Sequence, residues 1–219
     1  MFSTNHIQLD ELASLSLYRV GGRSIEEDVW DFSCFVDTAR DVFNNPISLS
    51  NLHDINNGEY LRYKYRLMRL YTNGDLYLIR ETLNGGPLVS PITLNIGIVA
   101  VVPHAAVHRD KEYSYLKYFG FVKEMRGKKY GSKIMKVILE SYPDIVTHVE
   151  YPINDEQDKV VEFYANCGFD NRYIIKTDCG GKHYLMSTDR LVTLDEYLEH
   201  EYELSHLFLK DLEDRLQEI

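Results

Sequence analysis

The chain is poor in the residues that would make it anything other than an ordinary folded protein. Only 3 cysteines, 6 prolines and 1 tryptophan occur in 219 residues, and glycine reaches only 13. Cys34, Cys167 and Cys179 are odd in number and widely spaced, with no C-x-x-C pair, which argues against a disulfide scaffold and a zinc site and predicts reduced, structural thiols. No apolar run approaches the ~20 residues of a membrane span, and Met1 to His6 lacks the cationic and apolar regions of a secretion signal. A cytoplasmic protein with no membrane contact is therefore expected. No internal repeat and no linker-like segment breaks the sequence, and a chain of this size buries about 70% of its unfolded surface, so the core needs no staples.

Charge is where the sequence becomes informative. Lys and Arg number 24 against 34 Asp and Glu, a net charge of −10. Between 109 and 136, however, nine basic residues face three acidic ones, so that this segment carries +6 and the remainder −16. An acidic body repels nucleic acid, which is not an expected partner, while a local basic island suits a compact polyanion such as a nucleotide cofactor.

Periodicity predicts an α/β chain. Ser24 caps a helix over 24–43 whose apolar positions recur at helical spacing before Asn44-Asn45-Pro46. A second helix is predicted over 59–71, ended by Asn73-Gly74. Runs rich in Leu, Ile, Val and Tyr predict strands at 76–81, 92–102 and 113–122, the last two joined by a loop from Pro103 to Glu112, with 15–20 as a further candidate. Ile134, Val137 and Ile138 mark a helix over 131–141, followed by a strand at 145–153, a helix at 155–166, and a hairpin of 172–177 with 183–188. An acidic amphipathic helix closes the chain from 194, either folded on its own domain or paired in a homodimer. His104 and His108 lack a third ligand and sit in the predicted loop, so no metal is expected.

The segment Phe121-Val122-Lys123 through Arg126-Gly127-Lys128-Lys129-Tyr130-Gly131-Ser132 leads from a strand into a helix. Such a turn can aim successive backbone N–H groups inward, in front of the positive end of a helix dipole, and so cradle a diphosphate. It is neither a Walker loop nor a dinucleotide fingerprint, since G-x-x-x-x-G-K-[ST] and G-x-G-x-x-G are both absent. Here the sequence resembles the GNAT superfamily of N-acetyltransferases, whose acetyl-CoA loop reads [QR]-x-x-G-x-[GA]. Arg126 and Gly131 match its ends, and Lys129 stands where the inner glycine belongs. Downstream, Phe163-Tyr164-Ala165-Asn166-Cys167-Gly168-Phe169 resembles the family's helix ending in aromatic-Tyr-x-x-x-Gly-Phe. The two motifs and their surrounding strands cover 75–189.

The resemblance implies a mixed, mostly antiparallel sheet flanked by helices, in a single domain made of a helical region 1–74, an acyl-CoA core 75–189 and a C-terminal extension 190–219. It implies that acetyl-CoA lies between the family's fourth and fifth strands, with pantetheine along Phe121, Val122 and Lys123. Arg126 to Ser132 would take the diphosphate, Lys133 could meet the adenosine phosphates, and Asn154 is counted with the cofactor-binding residues. Tyr164 aligns with the family's acid for the departing thiolate. The family's fourth-strand glutamate falls at Tyr115, so the base stays open among Glu112, Glu150, His148 and a water chain. The acceptor is expected to be a primary amine of a cationic small molecule or a protein. The competing expectation is a non-catalytic module that binds acyl-CoA or a partner with the same fold.

Overall fold

The computed structural model describes residues 6–8, 13–21, 25–43, 74–85, 89–108, 111–176 and 182–189. The predicted helix over 59–71 and the tail from 190 lie outside them. The chain forms two compact units, one of Met1–Val101 with Tyr118–Ile134 and the other of Val102–Lys117 with Met135–Ile219.

In the first unit, β1 (His6–Gln8) and β2 (Ala13–Val20) precede α1 (Ile25–Phe43), which is followed by β3 (Asp75–Leu83) and the first part of β4 (Ile92–His108). β1–β2, β2–β3 and β3–β4 pair antiparallel. Leu15, Leu17, Leu76, Leu78, Ile79, Ile98 and Phe35 are almost wholly buried and supply its apolar core. The β3–β4 register slips between Ile79 and Arg80, placing a bulge at Ile96, whose carbonyl accepts from the N–H of Val122 at 2.9 Å. Beside it, a Cβ on Gly97 would sit 2.4 Å from the carbonyl of Gly120. Only glycine permits that approach. The last residues of β5 (Lys111–Phe121), a single 3₁₀ turn at Lys123–Met125 and the start of α2 (Tyr130–Ser141) also belong here.

The second unit contains the end of β4, the start of β5, the body of α2, β6 (Ile145–Glu150), α3 (Asp155–Asn166), β7 (Asn171–Lys176) and β8 (Lys182–Ser187). Its strands are ordered β5-β6-β8-β7. β5 and β6 pair parallel, whereas β6–β8 and β7–β8 are antiparallel. Met135, Ile138, Ile145, Val146, Phe169, Leu185 and Met186 are its most buried apolar side chains. This is the mixed, mostly antiparallel sheet with flanking helices that the resemblance implies.

One expected loop is corrected. Pro103 to His108 continues β4, and β5 begins at Lys111, ahead of Tyr113. A proline is tolerated in a strand where an irregularity releases its neighbour from the ladder, and His104 supplies one with φ +52. The predicted strands at 15–20 and 145–153 become Ala13–Val20 and Ile145–Glu150. Among the described residues, no helix is long and apolar enough to cross a membrane.

Candidate active site

The loop between β5 and α2 is open on its outer side. Gly127 has φ +79, and a Cβ built there meets nothing within 4 Å. Lys129 has φ +61, a left-handed conformation that costs an L residue about 1 kcal/mol or more. The motif's missing glycine is therefore replaced in residue type and kept in backbone conformation. α2 starts at the next residue, and the first N–H groups of a helix have no partner within it. Backbone donors and helix dipole thus converge beside the exposed Lys128, Lys129 and Ser132.

Side chains of this loop turn to other tasks than the resemblance assigns. The guanidinium of Arg126 donates through Nε to the carbonyl of Phe121 at 3.1 Å and through Nη2 to that of Val42 at 2.6 Å. It thereby occupies one lone pair of a carbonyl assigned to pantetheine and closes the C-terminal turn of α1. Tyr130 donates its hydroxyl to the buried carboxylate of Glu81 at 2.8 Å, which pins the first residue of α2. Lys128 Nζ lies 3.1 Å from Met125 Sδ. Val122 spends its N–H on β4, and Lys123 gives its carbonyl to the N–H of Arg126.

In the second unit, the F-Y-x-x-x-G-F pattern is first of all a helix terminus. Gly168 has φ +97, its N–H reaches the carbonyl of Ala165 at 3.0 Å, and the N–H of Phe169 reaches that of Tyr164 at 3.1 Å. These two bonds make a Schellman motif, whose apolar clasp is the Tyr164–Phe169 ring pair at 5.3 Å. Capping accounts for the glycine and both rings but not for the phenol oxygen. Burial pushes the pKa of that phenol upward, and the neighbouring hydroxyl of Thr147 on β6 acts the other way. Thr147 donates to the carbonyl of Leu116 on β5 at 3.0 Å.

This network sits where the parallel ladder stops. β5 and β6 pair only at Ser114–Ile145, Tyr115–Val146 and Leu116–Thr147. On the opposite face, pleating aligns Tyr115, Val146, His148 and Glu150, and the Tyr115 and His148 rings lie 5.2 Å apart. The Nε2 atom of His148 is buried without a hydrogen-bond partner. Desolvation first, then the positive charge of Lys117 and His183, lowers its pKa to about 3, so the imidazole is neutral near pH 7.

Glu112 is exposed, with its carboxylate against Nδ1 of His104. Glu150 is exposed, with Gln157 Nε2 at 3.4 Å from its carboxylate. Asn154 is the N-cap of α3, its Oδ1 accepting from the N–H of Gln157 at 3.0 Å. Lys111 bridges Asp144 at 2.7 Å and Asp189 at 2.8 Å, and the latter also takes the Tyr113 hydroxyl, whose pKa burial pushes up to about 12. Among the described residues, no group of three or more His, Cys, Asp or Glu stands where it could hold a metal ion. Sequence reasoning had no signal for Thr147, and it weighed His148 without committing to it.

No family model matches the chain, and no curated protein sequence does. Solved structures do. A NatC complex bound to Gag peptide and CoA matches at TM-score 0.46 and 16% identity, over 80% of this chain and 98% of that one. A histone acetyltransferase HPA2 and related acetyltransferase from Corynebacterium glutamicum matches at 0.48 and 14%, over 81% and 98%. A spermidine N-acetyltransferase from Vibrio cholerae, described as dodecameric, matches at 0.46 and 15%, over 85% and 97%. The order of elements in this chain, with a parallel β5–β6 pair, α3 behind it and a terminal antiparallel pair, is GNAT-like in its own right.

Proposed function

We propose that the protein is an acetyl-CoA-dependent N-acetyltransferase that transfers an acetyl group to a primary amine of a small molecule or a protein. The observation that carries the reading is Lys129 at φ +61 beside the open Gly127. A chain that keeps a costly backbone shape without the residue that makes it cheap is holding that shape for a purpose, and a diphosphate is the ligand such a bend and helix start accommodate.

Transfer needs the C–S bond to break as sulfur leaves with its electron pair. Tyr164 is the donor in this reading. Burial keeps its phenol protonated, and its hydrogen turns toward the departing sulfur, which it stabilises by hydrogen bonding. Glu112 and Glu150, both exposed and engaged elsewhere, are weaker candidates for the base than the sequence made them. The acidic remainder of the chain favours approach of a cationic acceptor molecule, and the tail from 190 is the segment that would support a homodimer.

Calorimetry with acetyl-CoA and desulfo-CoA, followed by thiol release with a panel of amines, tests the proposal. Binding with release supports it. Binding without release against every amine replaces it with a non-catalytic acyl-CoA module, and absence of binding removes both readings.

A further inference from the structure

The loop from Arg126 to Tyr130 holds two left-handed residues, Gly127 at φ +79 and Lys129 at φ +61. A strained backbone shape persists only where its surroundings fix it, and this loop is tied at both ends. Arg126 makes its two carbonyl bonds at the entry. At the exit, directly after Lys129, the Tyr130 hydroxyl donates to Oε1 of Glu81 on β3 at 2.8 Å. The Phe121 ring, 6.5 Å away, and the Lys128 ammonium, 5.8 Å from the phenol ring, bracket the same side chain. Position 130 is one that the acetyl-CoA pattern leaves unspecified, so the tyrosine answers to Glu81 and not to the motif.

Glu81 is a costly residue to keep in this place. It is only 5% exposed, and its cross-strand neighbours are Leu15 and Leu94. Pleating sends the adjacent Arg80 to the other face of the sheet, where it lies over the Tyr18 ring, donates to Asn95 at 3.1 Å and meets Asp31 at 3.9 Å. Among the described residues no ion pair involves Glu81, and Tyr130 is its side-chain donor. Replacing both partners of such a buried pair by apolar groups of the same shape is close to neutral, so stability does not account for it. What the pair supplies is a fixed place for the first residue of α2, the helix start whose N–H groups have no partner within the helix.

We propose that Glu81 is a positioning residue of the acetyl-CoA site. Through Tyr130 it holds the left-handed Lys129 and the start of α2 in the arrangement that receives the diphosphate, without touching the ligand itself. The inference rests on the acetyl-CoA reading of the loop and adds to it a residue 49 positions before Tyr130, on a strand that carries no part of either motif. Without the anchor, Lys129 relaxes to the right-handed region that an L residue prefers, and the cradle is lost.

Calorimetry with acetyl-CoA on the full chain tests this. Glu81→Ala and Tyr130→Phe should each weaken binding by about 10-fold, as for loss of one hydrogen bond to a charged group. The double variant should be no weaker than either single one, since both remove the same bond. Glu81→Gln, which keeps an oxygen acceptor at the position, should bind within about 3-fold of the parent. Adding Lys129→Gly to Glu81→Ala should restore affinity, because glycine takes the left-handed shape without an anchor, a repair that a general loss of folding would not allow. Tyr130→Phe, the mildest change, decides the matter should Glu81→Ala fail to fold. Parental affinity in Tyr130→Phe, or effects of the two substitutions that add in the double variant, overturns the inference. A parent chain that binds no acetyl-CoA strikes the transferase reading itself, and the inference falls with it.

Discussion

The guanidinium of Arg126 donates to the carbonyl of Val42 at 2.6 Å, 84 residues earlier in the chain. Carbonyls in the last turn of a helix have no partner within it, and α1 finds one for Val42 in the loop that the resemblance assigns to acetyl-CoA. Because Nε also reaches Phe121, one side chain ties strand end, loop and helix end together. Arg126→Lys cannot make both bonds, since a point ammonium lacks the planar fork. It should cost about 1 kcal/mol, as for a partly exposed charged hydrogen bond, seen as a lower Tm, and should weaken acetyl-CoA binding in calorimetry. An unchanged Tm would show that the tie carries no stability.

Lys129 offers a sharper test because strain and function predict opposite signs for two substitutions. At φ +61, glycine removes a conformational penalty of about 1 kcal/mol, so Lys129→Gly should raise Tm or leave it unchanged and preserve acetyl-CoA binding. Lys129→Val should destabilise and abolish binding, since a β-branched residue is the least tolerant of this region. If Lys129→Gly abolished binding, the ammonium and not the backbone would be the ligand group.

How much of this was legible beforehand divides along physical lines. Helix 24–43 was readable because a capping pattern and a 3.6-residue stripe coincide in its sequence, and helix 155–166 because Cys167-Gly168-Phe169 ends it. Asn154, expected to meet the cofactor, instead caps that helix on Gln157 N–H. β1 escaped because three residues are too few for any period. The continuation of β4 through Pro103 escaped because proline normally signals a break, and only the local irregularity at His104 reveals why it does not. In the site, the glycines and aromatic residues announced themselves, while Thr147 and the empty Nε2 of His148 did not. Hydrogen-bond satisfaction is a property of three-dimensional neighbours, and no spacing in the chain encodes it.

Thr147 separates the structural from the chemical role of Tyr164. Tyr164→Phe keeps the ring that clasps Phe169 at 5.3 Å and removes only the hydroxyl. It should leave the unfolding free energy within about 1 kcal/mol of the parent and lower kcat by about 10²-fold. Thr147→Val removes the hydroxyl that acts on the phenol and leaves the Leu116 carbonyl without its donor, so it should destabilise by about 1–3 kcal/mol. Equal loss of kcat in both variants at unchanged acetyl-CoA affinity would show that the two hydroxyls act as one unit. Full activity of Tyr164→Phe would remove the phenol from the mechanism and leave it as a capping residue.

His148 makes stability depend on pH in a stated window. Its pKa falls from 6.5 to about 3 on folding, first through desolvation and then through Lys117 and His183. The unfolded chain therefore binds a proton that the native chain refuses between these values, and stability falls as pH is lowered through this range. The loss should reach the order of 1–2 kcal/mol by about pH 5. Above about pH 7 both states carry a neutral imidazole, and the dependence from this group vanishes. Urea unfolding of the parent and of His148→Gln at several pH values measures the difference directly, because all other titrating groups are common to both. The parent should lose more stability than the variant between neutrality and about pH 5. Parallel curves would mean that the imidazole gains a proton in the folded protein as easily as in the unfolded one, and that its Nε2 is open to water.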